Sequence, residues 1–345
     1  MDKRQQPGDL PIPARYYARA GALLQAQGIT LDELLLPLGL RPADLQQPEA
    51  SLPLTQVDAL IQRGLALSGR SDLGFELGRA LKLSSHSIVG FGILSSPTVD
   101  YALRLAARFF RLIMPSFRMR YRQEGQHREI RFDAVAAMSP TCLNVHLEAI
   151  AVATHCELRE LLQGQMPDYA LYLGITEPPH AARYAELAEA HCQFGAAPQA
   201  QIRMVLPGSI GERELALADP AALQMAEARC DALVRAAVAG GRVADWTRMI
   251  LRESSDGMPN MAELARSLNL STRTLDRHLK REGISFRELS RQVLRARAEA
   301  MLAAGELPIT AIAHELGYSD AANFTRAFRR ETGQSPSAYR SAARP

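Results

Sequence analysis

Arg273, Asp276, Arg277 and Lys280 recur at the three- and four-residue spacing that gathers side chains on one face of an α-helix, while Leu275 and Leu279 fall on the other. The chemistry open to such a set is hydrogen-bond recognition rather than bond making. An arginine fork can donate to guanine O6 and N7, and an aspartate can accept from the cytosine amino group. The stretch around them, residues 260–283, reads as two short helices with a tight turn. Asn260 and Glu263 have capping-box spacing, so the first helix starts at Met261. Leu264, Ala265 and Leu268 form its apolar stripe, Asn269-Leu270 breaks it, and Ser271 can cap the second helix. Together they make a helix-turn-helix unit, a form that lays its second helix in a DNA major groove. Taken alone, the same pattern also fits two ordinary amphipathic surface helices.

Other residue types point to less. Cys142, Cys156, Cys192 and Cys230 have no close spacing, which argues against a zinc site or a disulfide framework and for free thiols. Thiolate chemistry needs an activating neighbour, and only His155-Cys156 and His191-Cys192 offer one in sequence. No His-x-x-x-His pair occurs, so we expect no metal, no cofactor and no catalytic set: the chain is not expected to be an enzyme. Gly90-Phe-Gly92 has Ser95 where a dinucleotide-binding turn would need its third glycine, so it reads as close helix packing. Arg118, Arg120, Arg122 and Arg131 lie at alternate positions of an expected hairpin; they could suit an anion or a partner, but such a row is more often the solvated face of a strand, which is the reading favoured here.

The helix-turn-helix pattern occurs twice. Ile312-Ala313-His314-Glu315-Leu316 repeats Leu264 to Leu268 at an offset of 48, and Ser319 follows as Ser271 does. Phe324, Arg326, Phe328 and Arg329 echo Leu275, Arg277, Leu279 and Lys280 one residue later. Two copies of one unit follow. Between them Leu289, Val293, Leu294, Ala298, Met301 and Leu302 recur at helical spacing behind a Ser285/Glu288 capping box. About 18 residues of helix span roughly 27 Å, against a major-groove repeat of about 34–36 Å. Such a rod can hold two recognition helices against successive groove segments.

The 345 residues suit two domains, and 47% hydrophobic with 22% charged residues suits an ordinary globular chain. Net charge is +3, unevenly placed: 16 Arg and Lys face 12 Asp and Glu from Asp245 onward, a local +4 that leaves −1 elsewhere. A basic C-terminal part suits phosphate contact. No apolar run is long enough for a membrane span, and the polar Met1-Asp-Lys-Arg start lacks a signal-peptide apolar region, so the cytoplasm is the expected place. Upstream, helices are expected over residues 14–27, 54–67, 73–81, 99–114, 142–162, 181–190 and 220–238. Strands are expected at 117–121, 130–132, 170–174 and 202–206. The fold class is therefore an α+β N-terminal domain, whose regulatory role rests on the resemblance given below, followed by an all-α C-terminal domain with two helix-turn-helix units joined by a long helix. The boundaries run 1–238 for the first, 239–244 for a linker at Gly240-Gly241, and 245–343 for the second.

The second unit carries the string Ile309-x-x-Ile312-Ala313-x-x-Leu316-Gly317-Tyr318-Ser319-Asp320-x-x-x-Phe324-x-Arg326-Ala327-Phe328-Arg329-Arg330-x-x-Gly333-x-Ser335-Pro336-x-x-Tyr339-Arg340. By it, residues 243–340 resemble the DNA-binding domain of the AraC/XylS family of bacterial transcription regulators. Leu38-Gly-Leu-Arg-Pro-Ala-Asp-Leu45, Leu52-Pro53-Leu54, Gly90 to Thr98 and Phe194-Gly195-Ala196 in turn resemble the arabinose-binding-like regulatory domain of that family's ornithine-utilisation and virulence regulators. The resemblance implies a module for small-molecule sensing, dimerisation or both. It implies base-facing side chains at Arg273, Asp276 and Arg277, with Thr272, Thr274 and Lys280 as phosphate contacts. In the second unit two base-facing positions are Ala321 and Ala322, which offer only apolar contact. Asn323, Thr325 and Arg326 remain as polar candidates, and Arg329 falls on the phosphate side. Related regulators often take an acidic effector, for which Lys82, Ser84 and His86 are candidates; an exposed loop is the alternative there. Implied partners are double-stranded promoter DNA, RNA polymerase, a small-molecule effector and a second copy of the chain, without a membrane. Two other classes compete: an effector-independent architectural DNA binder, and an alkyltransferase fused to the same DNA-binding domain, which would need a cysteine cluster absent here.

Overall fold

The computed structural model describes residues 10–343 apart from 48–49, 196–199, 240–242, 245–246, 249–250, 252–257, 268–270, 306 and 319. It divides into two compact units, Met1–Cys230 and Asp231–Pro345. The division falls within a helix, Pro220–Ala239. The Gly240-Gly241 break expected as the linker lies outside the described residues.

The first unit pairs a helical part with a sheet. Its helices are α1 (Arg15–Gln25), α2 (Leu31–Leu35), α3 (Pro42–Gln46), α4 (Leu54–Ser68), α5 (Leu73–Ala80), α6 (Ser87–Leu94), α7 (Val99–Ile113) and α8 (Pro140–Leu161), with α9 (Pro220–Ala239) leaving it. Two short strands, β1 (Pro11–Pro13) and β2 (Ser51–Pro53), pair antiparallel around Ile12 and Leu52. Helix α8 is the axis of the core, burying Val145, Leu147, Ile150, Ala151 and Val152. Helix α5 approaches it backbone to backbone at Gly74 and Gly78: a Cβ on either would stand 2.7 Å from a carbonyl oxygen of α8. Gly90 is still tighter, since a Cβ there would stand 1.8 Å from the Leu83 carbonyl oxygen. Gly90-Phe-Gly92 is thus a helix-packing device inside α6.

The main sheet has the order β3-β4-β7-β5-β6. Strands β3 (Phe117–Glu124) and β4 (His127–Ala134) are the expected hairpin, with Glu124 opposite His127 across Gly125-Gln126. Phe117, Met119, Ile130, Phe132, Ile202 and Met204 fill the buried face, and the alternate residues face outward. One expectation fails. The helix expected over 181–190 is a 3-10 segment, Ala181–Glu186, followed by the unforeseen strand β6 (Ala190–Phe194). Strand β6 runs parallel to β5 (Tyr169–Leu173), which pairs antiparallel with β7 (Gln201–Pro207). Alanine-rich local propensity is overridden here by burial of Tyr184, whose ring packs edge-on against Phe75 and Phe194.

The second unit is all helix among its described residues: α10 (Met261–Ser267), α11 (Thr272–Arg281), α12 (Phe286–Ala304), α13 (Ile309–Glu315), α14 (Ala321–Thr332) and α15 (Pro336–Ala343). Several of these starts carry a side-chain cap. Asn260 Oδ1 accepts from the Ala262 and Glu263 N–H groups, and the Asn260 N–H donates to Glu263, the full capping box. Ser271, Ser285 and Asp320 cap α11, α12 and α14. At α12 only half the expected box forms, because the Glu288 carboxylate turns to Arg291 instead. Gly305 and Gly333, at φ 70° and 79°, close α12 and α14 in the left-handed region. Helix α12 serves two cores at once. Leu289 and Val293 join Leu264, Leu275 and Leu279; Ala298 and Leu302 join Ile312, Leu316, Phe324 and Phe328.

Candidate DNA-reading surface

Two helices with the same construction present the polar residues in question. In α11 Leu275 and Leu279 are buried, which turns Thr272, Arg273, Arg277 and Lys280 outward, all exposed. Asp276 is half-buried and accepts an ion pair from Lys280 at 2.7 Å. That pair joins two solvent-accessible side chains one helical turn apart and is worth only about 0.3–0.5 kcal/mol, so either partner can exchange it for DNA. Among the described residues no hydrogen bond or ion pair engages the side chains of Arg273 or Arg277. Thr274 is committed to the helix start, hydroxyl to hydroxyl with Ser271 at 2.8 Å. The turn before α11, residues 268–270, lies outside the described residues, as does Ser319 in the second unit.

Helix α14 buries Phe324 and Phe328 in the same way. Arg326 and Arg329 are exposed and Asn323 is half-buried. The Thr325 hydroxyl donates to the Ala321 carbonyl oxygen at 2.7 Å, which ties it to its own helix. Ala321 packs partly against the second core, whereas Ala322 is exposed. Asp320, which sequence reasoning did not single out, accepts from the Asn323 backbone N–H and from its side-chain amide, each at 2.7 Å. The Asn323 Oδ1 accepts from Arg326 at 2.6 Å. The signal for this was available, since Asp320, Asn323 and Arg326 are spaced three apart on one helix face.

In the first unit the three effector candidates do not meet. Lys82 and Ser84 are exposed, while His86 is buried between the Tyr16 hydroxyl at 3.0 Å and Glu157 at 2.6 Å. A cavity of about 20 Å³ in this unit is lined by apolar side chains including Leu24, Leu60, Ile61 and Leu77. That is about one water's space. A groove of about 680 Å³ opens between the 3-10 segment and β6, lined by Glu177, Tyr184, Cys192 and Phe194 among others. The hairpin arginines lie on the outer sheet face among acids: Arg118 and Arg120 pair with Asp133, and Arg131 with Glu129. Burial raises the thiols of Cys142, Cys156 and Cys192 above the ordinary value rather than activating them. Burial pushes Cys142 up to about 12 and Cys192 up to about 11, so both stay protonated at neutral pH. His155 turns to the Tyr169 hydroxyl at 2.9 Å. Among the described residues no helix is long and apolar enough to cross a membrane.

Comparison with known proteins agrees with this architecture. The model of the arabinose-binding N-terminal domain of AraC transcription regulators matches residues 28–204, and a helix-turn-helix domain matches residues 264–342. The ornithine utilization regulator of Pseudomonas aeruginosa is 31% identical over 333 residues, covering 96% of both chains. The regulator VqsM of the same organism is 27% identical over 276 residues, 77% of this chain and 83% of its own. The crystal structure of the P. aeruginosa transcriptional regulator CdpR is 26% identical with a TM-score of 0.49, covering 94% of this chain and 98% of that one. The chain belongs to the AraC family of transcription regulators, with an arabinose-binding-type domain ahead of a DNA-binding domain of two helix-turn-helix units.

Proposed function

We propose that this regulator reads its operator chiefly through α11, with α14 adding affinity and a smaller share of the sequence preference. The observation that carries this is the contrast between the two exposed faces. Helix α11 offers Arg273 and Arg277 with no committed partner among the described residues, and Asp276 in an exchangeable pair. Helix α14 offers Ala322, a Thr325 whose hydroxyl is spent on its own backbone, and the exposed Arg326, already bonded to Asn323. Thr272 and Lys280 on the first helix and Arg329 on the second are assigned to phosphates. Arg277→Ala is expected to cost about 1–3 kcal/mol and to relax one base position. Arg329→Ala is expected to weaken all sequences alike and lower the salt slope by about one. Binding-site selection with each variant decides it: an unchanged motif for Arg277→Ala with an altered one for Arg329→Ala reverses the assignment.

The regulator is further proposed to act on promoters as a homodimer that engages RNA polymerase and to respond to an effector held by its first unit. What supports an effector site at the groove beside β6 is its lining, since the apolar cavity between Leu24, Leu60, Ile61 and Leu77 has room for only about one water. Among the groove's described lining residues the carboxylate of Glu177, with the Tyr184 and Phe194 rings, suits an amine better than the acid expected at Lys82. A thermal-shift series with small amines against matched acids tests this. Stabilisation by the acids alone removes the groove from consideration.

A further inference from the structure

We infer that Asn323 is not a base reader in its own right but a positioning residue for Arg326, which makes Arg326 the one polar base-reading group among the described residues of the second helix-turn-helix. The inference rests on the reading of α14 as the second groove-facing helix and goes beyond it by dividing the labour among its side chains. An asparagine recognises adenine with both ends of its amide, the oxygen accepting from N6 and the nitrogen donating to N7. Here both ends are engaged within the helix. The nitrogen donates to Asp320 Oδ2 at 2.7 Å, and the oxygen accepts from an Arg326 terminal nitrogen at 2.6 Å. Asp320 is itself fixed, because its other oxygen caps the helix through the Asn323 N–H. The three side chains thus form a chain that begins at the helix cap and ends on a guanidinium. To read adenine, Asn323 would have to give up both bonds. To read guanine, Arg326 gives up nothing, since it spends one of five N–H donors on Asn323 and keeps enough to meet O6 and N7. Holding the guanidinium beforehand also removes part of the ordering cost that a long, exposed side chain meets on binding.

Among its described residues the first helix-turn-helix lacks such a chain. Its aspartate, Asp276, pairs with Lys280 rather than with an arginine placed to read. Arg326 therefore has a preset orientation, whereas no bond among the described residues presets Arg273 or Arg277.

Binding-site selection on the full-length protein with Arg326→Ala, Asn323→Ala and the double variant tests this. Arg326→Ala should lose roughly tenfold discrimination at one base pair, within the range of a bidentate contact. Asn323→Ala should relax that same base pair by a smaller factor and leave the rest of the motif intact, and it should add almost nothing in the Arg326→Ala background. A change at a different base pair, a uniform loss over all sequences, or no change while Arg326→Ala alters the motif overturns the positioning role. If Arg326→Ala itself has no base-specific effect, the inference falls together with the groove-facing reading of α14, an outcome separate from the others.

Discussion

His146 illustrates how single polar residues are kept in the core of the first unit. It sits on α8 with its Nδ1–H donating to the Cys142 carbonyl oxygen at 2.8 Å, which leaves Nε2 to accept from the Tyr17 hydroxyl at 2.7 Å. Burial pushes the Tyr17 hydroxyl well up, so it remains a donor. Burial, opposed by the Cys142 backbone and by Asp58, also lowers His146 to about 4 from the usual 6.5. Between those values the unfolded chain binds a proton that the folded chain refuses, so stability rises with pH across that window. The contribution is complete above pH 6.5, is lost as pH falls toward 4, and amounts to about 3 kcal/mol. Melting temperatures of the full chain should fall steadily from pH 6.5 to 4. His146→Gln, which cannot titrate, should flatten the slope but leave a remainder from His155, also lowered by burial. An identical slope in wild type and variant removes His146 as the cause.

At the scale of elements, what was legible in the sequence is what is decided locally. The Asn260–Glu263 box, the Ser271 cap, the 48-residue repeat and the β3/β4 alternation need only near neighbours, and each forms. Strand β6 was not legible because Ala190-His-Cys-Gln-Phe194 has one aromatic residue and no β-branched one, and its partner β5 lies across a crossover. The role of Asn323 was hidden for a different reason. Spacing shows that it shares a face with Asp320 and Arg326, but not that the side chains use up one another's hydrogen-bonding groups. The glycines of α5 show the same limit. Nothing local distinguishes Gly78 from a helix-weakening residue, yet a Cβ there would stand 2.7 Å from the Ala149 carbonyl oxygen and from Val152 Cβ. Gly78→Ala gains up to about 1 kcal/mol of helix propensity and loses about 1–3 kcal/mol to overpacking against backbone that cannot yield. Urea denaturation should therefore register a net loss. A stabilised variant shows that α5 and α8 can separate without cost.

For the whole molecule the question is whether reading DNA needs the first unit. The second unit has its own cores, both built on α12, whose 19 residues span roughly 28 Å. That rod lets each helix-turn-helix bury its apolar face without help from the β-sheet unit, so residues 231–345 are expected to fold and to select the operator by themselves. The full chain should still bind more tightly if a second copy joins it, because tethering two reading heads raises affinity by about 10²–10⁴ without any new contact to DNA. The comparison needs three measurements: the fold of the 231–345 fragment by circular dichroism, its affinity for operator against random DNA at one salt concentration, and the same ratio for the full chain. Equal discrimination ratios with a weaker absolute affinity for the fragment support a separable reading head whose partner domain contributes only avidity. A folded fragment that prefers operator no more than random DNA places part of the specificity in the first unit, and the proposed division of labour is then wrong.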